Sequence, residues 1–171
     1  MTIRGLFEKC VNKYGSKVAQ RWYADGQWKN RTWNDFFWAV DEIAEGYARK
    51  FALKPQEDNA AIILQNSPEW MESYLAQAGT GISVVPIDPK LHNDEVAYIL
   101  NDAEVKVVTT DKAHLMMMMK IAKTVPSLKA VVVTDGPVHD GQKIDNSVDV
   151  VEYSKLRVSG GGQWYKEHIA K

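Results

Sequence analysis

A single cysteine, Cys10, stands in the 171 residues, so no disulfide can close within the chain and no cysteine-based zinc framework is available. That scarcity fits a reducing, cytoplasmic setting. The four histidines, His92, His114, His139 and His168, lack a ligand spacing such as His-x-x-x-His. Surface and capping roles suit them better than a metal site. No apolar run approaches the roughly 20 residues that span a bilayer. The opening Met1-Thr2-Ile3-Arg4-Gly5 lacks the apolar core of a secretory signal. A net charge of -1 supplies no field to draw in nucleic acid or an anionic membrane. Beyond an alternation of strand and helix patterns, no repeat of fixed period is visible.

The remaining composition is that of a globular protein, with 45% apolar and 25% charged residues. The length suits one domain and allows burial of roughly 70% of the unfolded surface.

Ile3, Leu6, Phe7, Cys10, Val11 and Tyr14 fall on one helical stripe, and Gly15 is expected to end that helix in a left-handed cap. Two strand-like runs, 18–23 and 27–31, flank Asp25-Gly26, a pair suited to a tight hairpin turn. Thr32-Trp33-Asn34-Asp35 opens a second helix. Its apolar face holds Trp33, Phe36, Phe37, Val40, Ile43, Ala44, Tyr47, Ala48 and Phe51.

Short apolar runs then recur near 60–65, 82–86, 105–109 and 130–133, with helical patterns between them. Strands buried on both faces read as continuous apolar runs, and helical crossovers between them imply a parallel sheet. The expected fold class is therefore α/β: a doubly wound, mostly parallel sheet with helices on both faces, plus an N-terminal helix and β-hairpin. In the first crossover, Asn66 or Ser67 can cap the helix and Pro68 fits its first turn. Trp70, Met71, Tyr74, Leu75 and Ala78 are its expected buried stripe. A last short strand is expected at 148–151.

Asn66, Asp88 and Asp111 lie just past strand ends, where ligands sit in open α/β sheets, but all three also read as helix caps. Gly160, Gly161 and Gly162 lack a preceding strand and a following Lys, and read as a flexible connection, not a phosphate cradle. Cys10, on its apolar stripe, reads as a packed thiol. The run Met116 to Met119 cannot share one helix face, so at least one is expected in solvent. Trp22, Trp28 and Trp33 cluster around the hairpin, where core and interface roles are both open.

Asn66-Ser67-Pro68-Glu69-Trp70, followed by Gly79-Thr80-Gly81-Ile82-Ser83-Val84-Val85-Pro86-Ile87-Asp88-Pro89, resembles the N-terminal region of the adenylate-forming superfamily. That superfamily includes acyl-CoA synthetases, and long-chain fatty-acid CoA ligases look most similar. Glu95 to Ala103 resembles the next family helix and Val105 to Thr109 the strand after it. Leu53-Lys54-Pro55 resembles the family's Leu-Lys-Pro-Gly-Asp turn, with Gln56 standing where the family has Gly. The resemblance covers about residues 3–155.

It implies that the chain, 1–171, is the N-terminal part of an AMP-binding large domain, with its core at about 3–155 and a tail at 156–171. In the family, a Ser/Thr/Gly-rich loop, a Thr-Glu pair, a ribose-binding Asp and a C-terminal Lys carry the chemistry with ATP, Mg²⁺ and CoA. None of these motifs occurs here, so no catalytic, cofactor-binding or metal-binding residue transfers to this sequence. The expected function is that of an N-terminal fragment of a fatty-acid CoA ligase, inactive alone and binding no cofactor alone. The alternative is a free-standing binding or assembly module of the same descent. Expected partners are a second copy or the remainder of the ligase. An unrelated nucleotide-binding protein of the same architecture would need a Gly-rich loop after the first parallel strand, where Leu64-Gln65-Asn66-Ser67-Pro68 has no Gly.

Overall fold

The four apolar runs lie side by side as parallel strands. The computed structural model describes residues 2–139, 141–145 and 147–158. In chain order its elements are α1 (Ile3–Tyr14), β1 (Val18–Ala24), β2 (Gln27–Thr32), α2 (Trp33–Phe51), β3 (Asn59–Ile63), α3 (Pro68–Gly79), β4 (Ser83–Pro86), α4 (Asn93–Asp102), β5 (Val107–Thr110), α5 (Lys112–Ile121), β6 (Ala130–Val133), β7 (Lys143–Ile144) and β8 (Val148–Glu152). Two 3-10 turns sit at Ala122–Thr124 and Tyr153–Leu156. No described helix is long and apolar enough to cross a membrane.

The large sheet runs β4-β3-β5-β6-β8-β7. Ala60 pairs with Val107, which pairs with Ala130, and the register continues in step to Ile63, Thr110 and Val133. The expected last strand is β8, parallel to β6. An addition the sequence pattern did not announce is β7, two residues long and antiparallel to β8.

Alternation across the sheet divides the core in two. Ala61, Ile63, Val108, Val131 and Val133 face α4 and α5, where Val96, Leu100, Leu115 and Met118 pack on them. Ala60, Val107, Ala130 and Val132 face the other way, against Phe7 of α1, Phe36, Val40, Ile43 and Tyr47 of α2, and Ala76 of α3. Burial of a side chain such as Ile43 stabilises the fold by roughly 1.5–3 kcal/mol before entropy is counted.

Local chemistry sets the element ends. Thr32, Ser67 and Asp111 each accept a backbone N–H at the start of a helix, from Asp35, Trp70 and His114 respectively. Ser67, not Asn66, is thus the α3 cap. Asp25 (φ 53°) and Gly26 (φ 76°) both take the left-handed conformation that the hairpin turn demands. Gly15 differs from expectation. Its φ is -17°, so it is not a left-handed cap. What it provides is room, because a Cβ there would stand 2.8 Å from the Asn34 side chain.

The helix α3 corrects the expected stripe. Its buried residues are Glu72, Ser73, Ala76, Gln77 and Gly79, whereas Met71 is exposed and Trp70, Tyr74, Leu75 and Ala78 are half-buried. Glu72 and Ser73 turn inward because partners from distant elements await them there, Arg31, Tyr153 and Arg157 for the first and Tyr153 for the second. In α1, likewise, Ile3 and Leu6 remain about half exposed while Arg4 is buried against Asp41 of α2.

Candidate functional site

Taken in chain order, the five parallel strands stand 2-1-3-4-5, and the crossovers on the two sides of the first strand lie on opposite faces. A ligand crevice in such a sheet opens outside the carboxyl ends of the strands, where the winding reverses. A cleft of about 270 Å³ is found there, lined by Leu64, Gln65, Ser67, Glu69, Asp111, Thr134 and Asp135.

Ser67, Asp111, Thr134 and Asp135 of this cleft each take part in a hydrogen bond that the fold itself uses. Thr110 Oγ1 donates to Ile63 O at 3.0 Å and Thr134 N–H to Thr110 O at 2.9 Å, which knits the three strand ends together. Asp111 accepts from His114 N–H at 2.9 Å. Its Oδ1 also lies 2.6 Å from His114 Nδ1, while His114 Nε2 faces Pro89 O at 3.0 Å. Asp135 accepts from the Lys112 N–H. Among the described residues the lining thus carries three carboxylates, on Glu69, Asp111 and Asp135, and no lysine or arginine. Phosphate groups are held by cations and aimed N–H donors. These residues therefore do not fit a nucleoside triphosphate.

The other residues singled out from sequence are dispersed. Asn66 lines a neighbouring groove of about 370 Å³ with Ala19, Gln20, Arg21, Trp22, Ser67, Pro68 and Met71. Asp88 is exposed and accepts from Lys90 N–H at 2.9 Å. His92 starts α4, where its N–H donates to Glu95 at 2.8 Å. His139 is exposed. His168, Gly160, Gly161 and Gly162 lie outside the described residues. No group of three or more His, Cys, Asp or Glu among the described residues could hold a metal ion. Met118 is buried, Met117 packs against the core, and Met116 and Met119 face solvent. The tryptophans divide: Trp33 is half-buried against the core, Trp22 lies half-buried under Arg31, and Trp28 is 59% exposed beside Tyr23.

Cys10 is half-buried in an apolar groove of about 320 Å³ between α1, β1, α2 and α3. Ile3, Leu6, Trp33, Met71 and Leu75 contribute its walls.

The densest polar cluster was not legible in the sequence. Glu72, fully buried on α3, accepts from Arg31 of β2, from Arg157 Nη2 at 2.9 Å and from the Tyr153 hydroxyl at 3.2 Å. Tyr47 and Thr109 share a hydrogen bond beneath it. Burial pushes the Tyr153 hydroxyl well above the ordinary tyrosine value, and the Glu72 charge adds to the effect. The Arg157 guanidinium is raised too: burial, the largest single effect, opposes this, and the Glu72 charge together with Tyr153 and Glu42 outweighs it. Both groups thus stay in their donor forms. A charged residue inside α3 and two distant arginines form no sequence pattern, so no signal was available.

A family model described as AMP-binding enzyme matches residues 7–159. A human long-chain-fatty-acid–CoA ligase is 28% identical over 156 residues, covering 91% of this chain and 21% of its own length. A medium-chain-fatty-acid–CoA ligase of Ectopseudomonas oleovorans is 27% identical over 132 residues, covering 77% and 24%. The chain therefore spans about a fifth to a quarter of the length of these curated relatives. Among solved structures, an acetoacetyl-CoA synthetase from Streptomyces lividans superposes with a TM-score of 0.78 at 16% identity, covering 93% of this chain and 25% of that one. Coronafacic acid ligase from Pectobacterium brasiliense gives 0.75 at 18% identity, covering 92% and 29%. These likenesses establish the shared fold. Because the family match runs from within α1 through every strand of the parallel sheet, the chain belongs to the AMP-binding enzyme family.

Proposed function

We propose that this chain is the N-terminal scaffold of a fatty-acid CoA ligase and does not adenylate a carboxylate by itself. The whole reaction joins a fatty acid to ATP, giving acyl-AMP and pyrophosphate, and CoA thiol then displaces AMP to give the thioester. The first step needs negative charge on phosphate oxygens to be stabilised by Mg²⁺, lysine and backbone donors. The observation that carries the reading is the cleft at the strand ends, with three carboxylates and no cation among the described residues of its lining. The names of the curated relatives support the fatty-acid class of the substrate. The test is ATP–pyrophosphate exchange by the purified chain with Mg²⁺ and fatty acids of several lengths. Exchange at background is expected. Exchange above background that follows the protein through purification overturns the reading.

A second reading, an assembly module that self-associates, is favoured by one feature: the apolar groove flanked by exposed Ile3, Leu6 and Met71. It is compatible with the first reading and is tested separately below.

A further inference from the structure

Glu72 is wholly buried, yet its carboxylate joins three parts of the chain. Oε1 takes Arg31 of β2, which also donates to Gln20 Oε1 of β1 at 3.3 Å. Oε2 takes Arg157 and Tyr153. Arg157 reaches on to Glu42 Oε2 of α2 at 3.3 Å, so charges alternate Arg31, Glu72, Arg157, Glu42. Tyr153 and Arg157 belong to residues 153–158, a strap that leaves β8 and crosses α2 and α3. Packing as well as charge holds the strap. Leu156 is 1% exposed, and its backbone passes so close to α2 that a Cβ on Gly46 would stand 2.0 Å from Leu156 O. Val158 N–H donates to Glu42 O at 3.4 Å.

We propose that this strap clamps the hairpin: by excluding water from Glu72 it makes the Arg31–Glu72 bond strong enough to hold β1 and β2 against the body. An arginine–carboxylate pair in water contributes little, because water replaces either partner. Under the docked strap Glu72 is closed to solvent and Arg31 is only 19% exposed, so water replaces Arg31 less readily and breaking its bond costs more than at the surface. The hairpin is thus held firmly with the strap in place and weakly without it. By linkage, a docked hairpin favours the docked strap to the same degree. Displacement of 153–158 would loosen the hairpin without any contact to it. The hairpin ends would stay anchored, through Trp33 N–H to Lys17 O and Asn34 N–H to Gly15 O, so the response is local loosening and not unfolding.

Amide hydrogen exchange on the whole chain tests this. Gly46→Ala pushes the strap off α2 while leaving Glu72 and the hairpin untouched. Arg157→Gln removes the strap's charge with little change in bulk, and it carries the test should Gly46→Ala raise exchange everywhere. Exchange of amides in 20–24 and 27–32 is expected to rise about tenfold in Arg157→Gln, with β5 and β6 unaffected; tenfold corresponds to about 1.4 kcal/mol. In an Arg31→Met background the same change is expected to move hairpin exchange less than about twofold, since the bond that the strap protects is gone. Faster exchange in 153–158 with an unchanged hairpin overturns the proposal. So does an equal rise with and without Arg31.

Discussion

The Tyr153 hydroxyl donates to Glu72 Oε2 across 3.2 Å, joining residues 81 positions apart. Both are buried, and the tyrosine is held in its neutral form by burial first and by the Glu72 charge second. A group whose folded pKa is raised adds stability that is complete below its unfolded value and is lost as pH rises through the folded one. The unfolded value here is the ordinary 10.0, and the folded value lies well above it. Stability should therefore begin to fall near pH 10. Urea midpoints between pH 9 and 11, taken with roughly half-unit steps, should fall less steeply in Tyr153→Phe than in the parent. Equal slopes would remove Tyr153 from the account.

Glu72 is fully buried and bound by three donors, so its removal is expected to be costly. Glu72→Ala leaves Arg31 and Arg157, 19% and 36% exposed, without their shared carboxylate. Loss of one partner from a fully buried ion pair typically costs about 3–5 kcal/mol, and the cost here is expected at the low end of that range because both arginines reach solvent. Denaturant titration measures it, and a loss below about 1 kcal/mol would mean that water already reaches the site.

At Gln56 the chain has a residue that its backbone does not suit. Gln56 has φ 63°, the conformation glycine adopts freely, and its N–H donates to Gly81 O at 2.8 Å. A left-handed L-residue costs about 1–2 kcal/mol, and glycine gives back about 0.5–1 kcal/mol through greater freedom when unfolded. Gln56→Gly is expected to stabilise the protein by about 0.5–1 kcal/mol, while Gln56→Ala brings no gain. A neutral or destabilising glycine would show that the Gln side chain supplies contacts that outweigh the strain.

Association through the apolar groove is tested by light scattering over a dilution series. Leu6 is half exposed, so Leu6→Glu should alter folding stability by no more than about 0.5 kcal/mol. It is expected to shift the sample toward monomer, and Trp28→Ser near the hairpin turn tests a second exposed apolar side chain. A parent chain that stays monomeric at high concentration rules association out.

Sequence alone determined the parallel sheet, the hairpin at Asp25-Gly26 and the long face of α2. Each of those is written locally: a strand buried on both faces must be apolar throughout, a tight turn must tolerate positive φ, and a long helix must repeat its apolar residues at helical spacing. Asp111 was legible in the same way, as a cap just past a strand end. The inward face of α3 was not. Trp70, Met71 and Leu75 carry its apolar periodicity, yet Glu72, Ser73 and Gln77 are the buried ones. A buried carboxylate is tolerable only where donors converge on it, and those donors come from residues 41, 81 and 85 positions away. Only tertiary folding brings Arg31, Tyr153 and Arg157 to Glu72. The passage of Leu156 over Gly46 likewise exists only once β8 has paired with β6 and aimed the chain across α2.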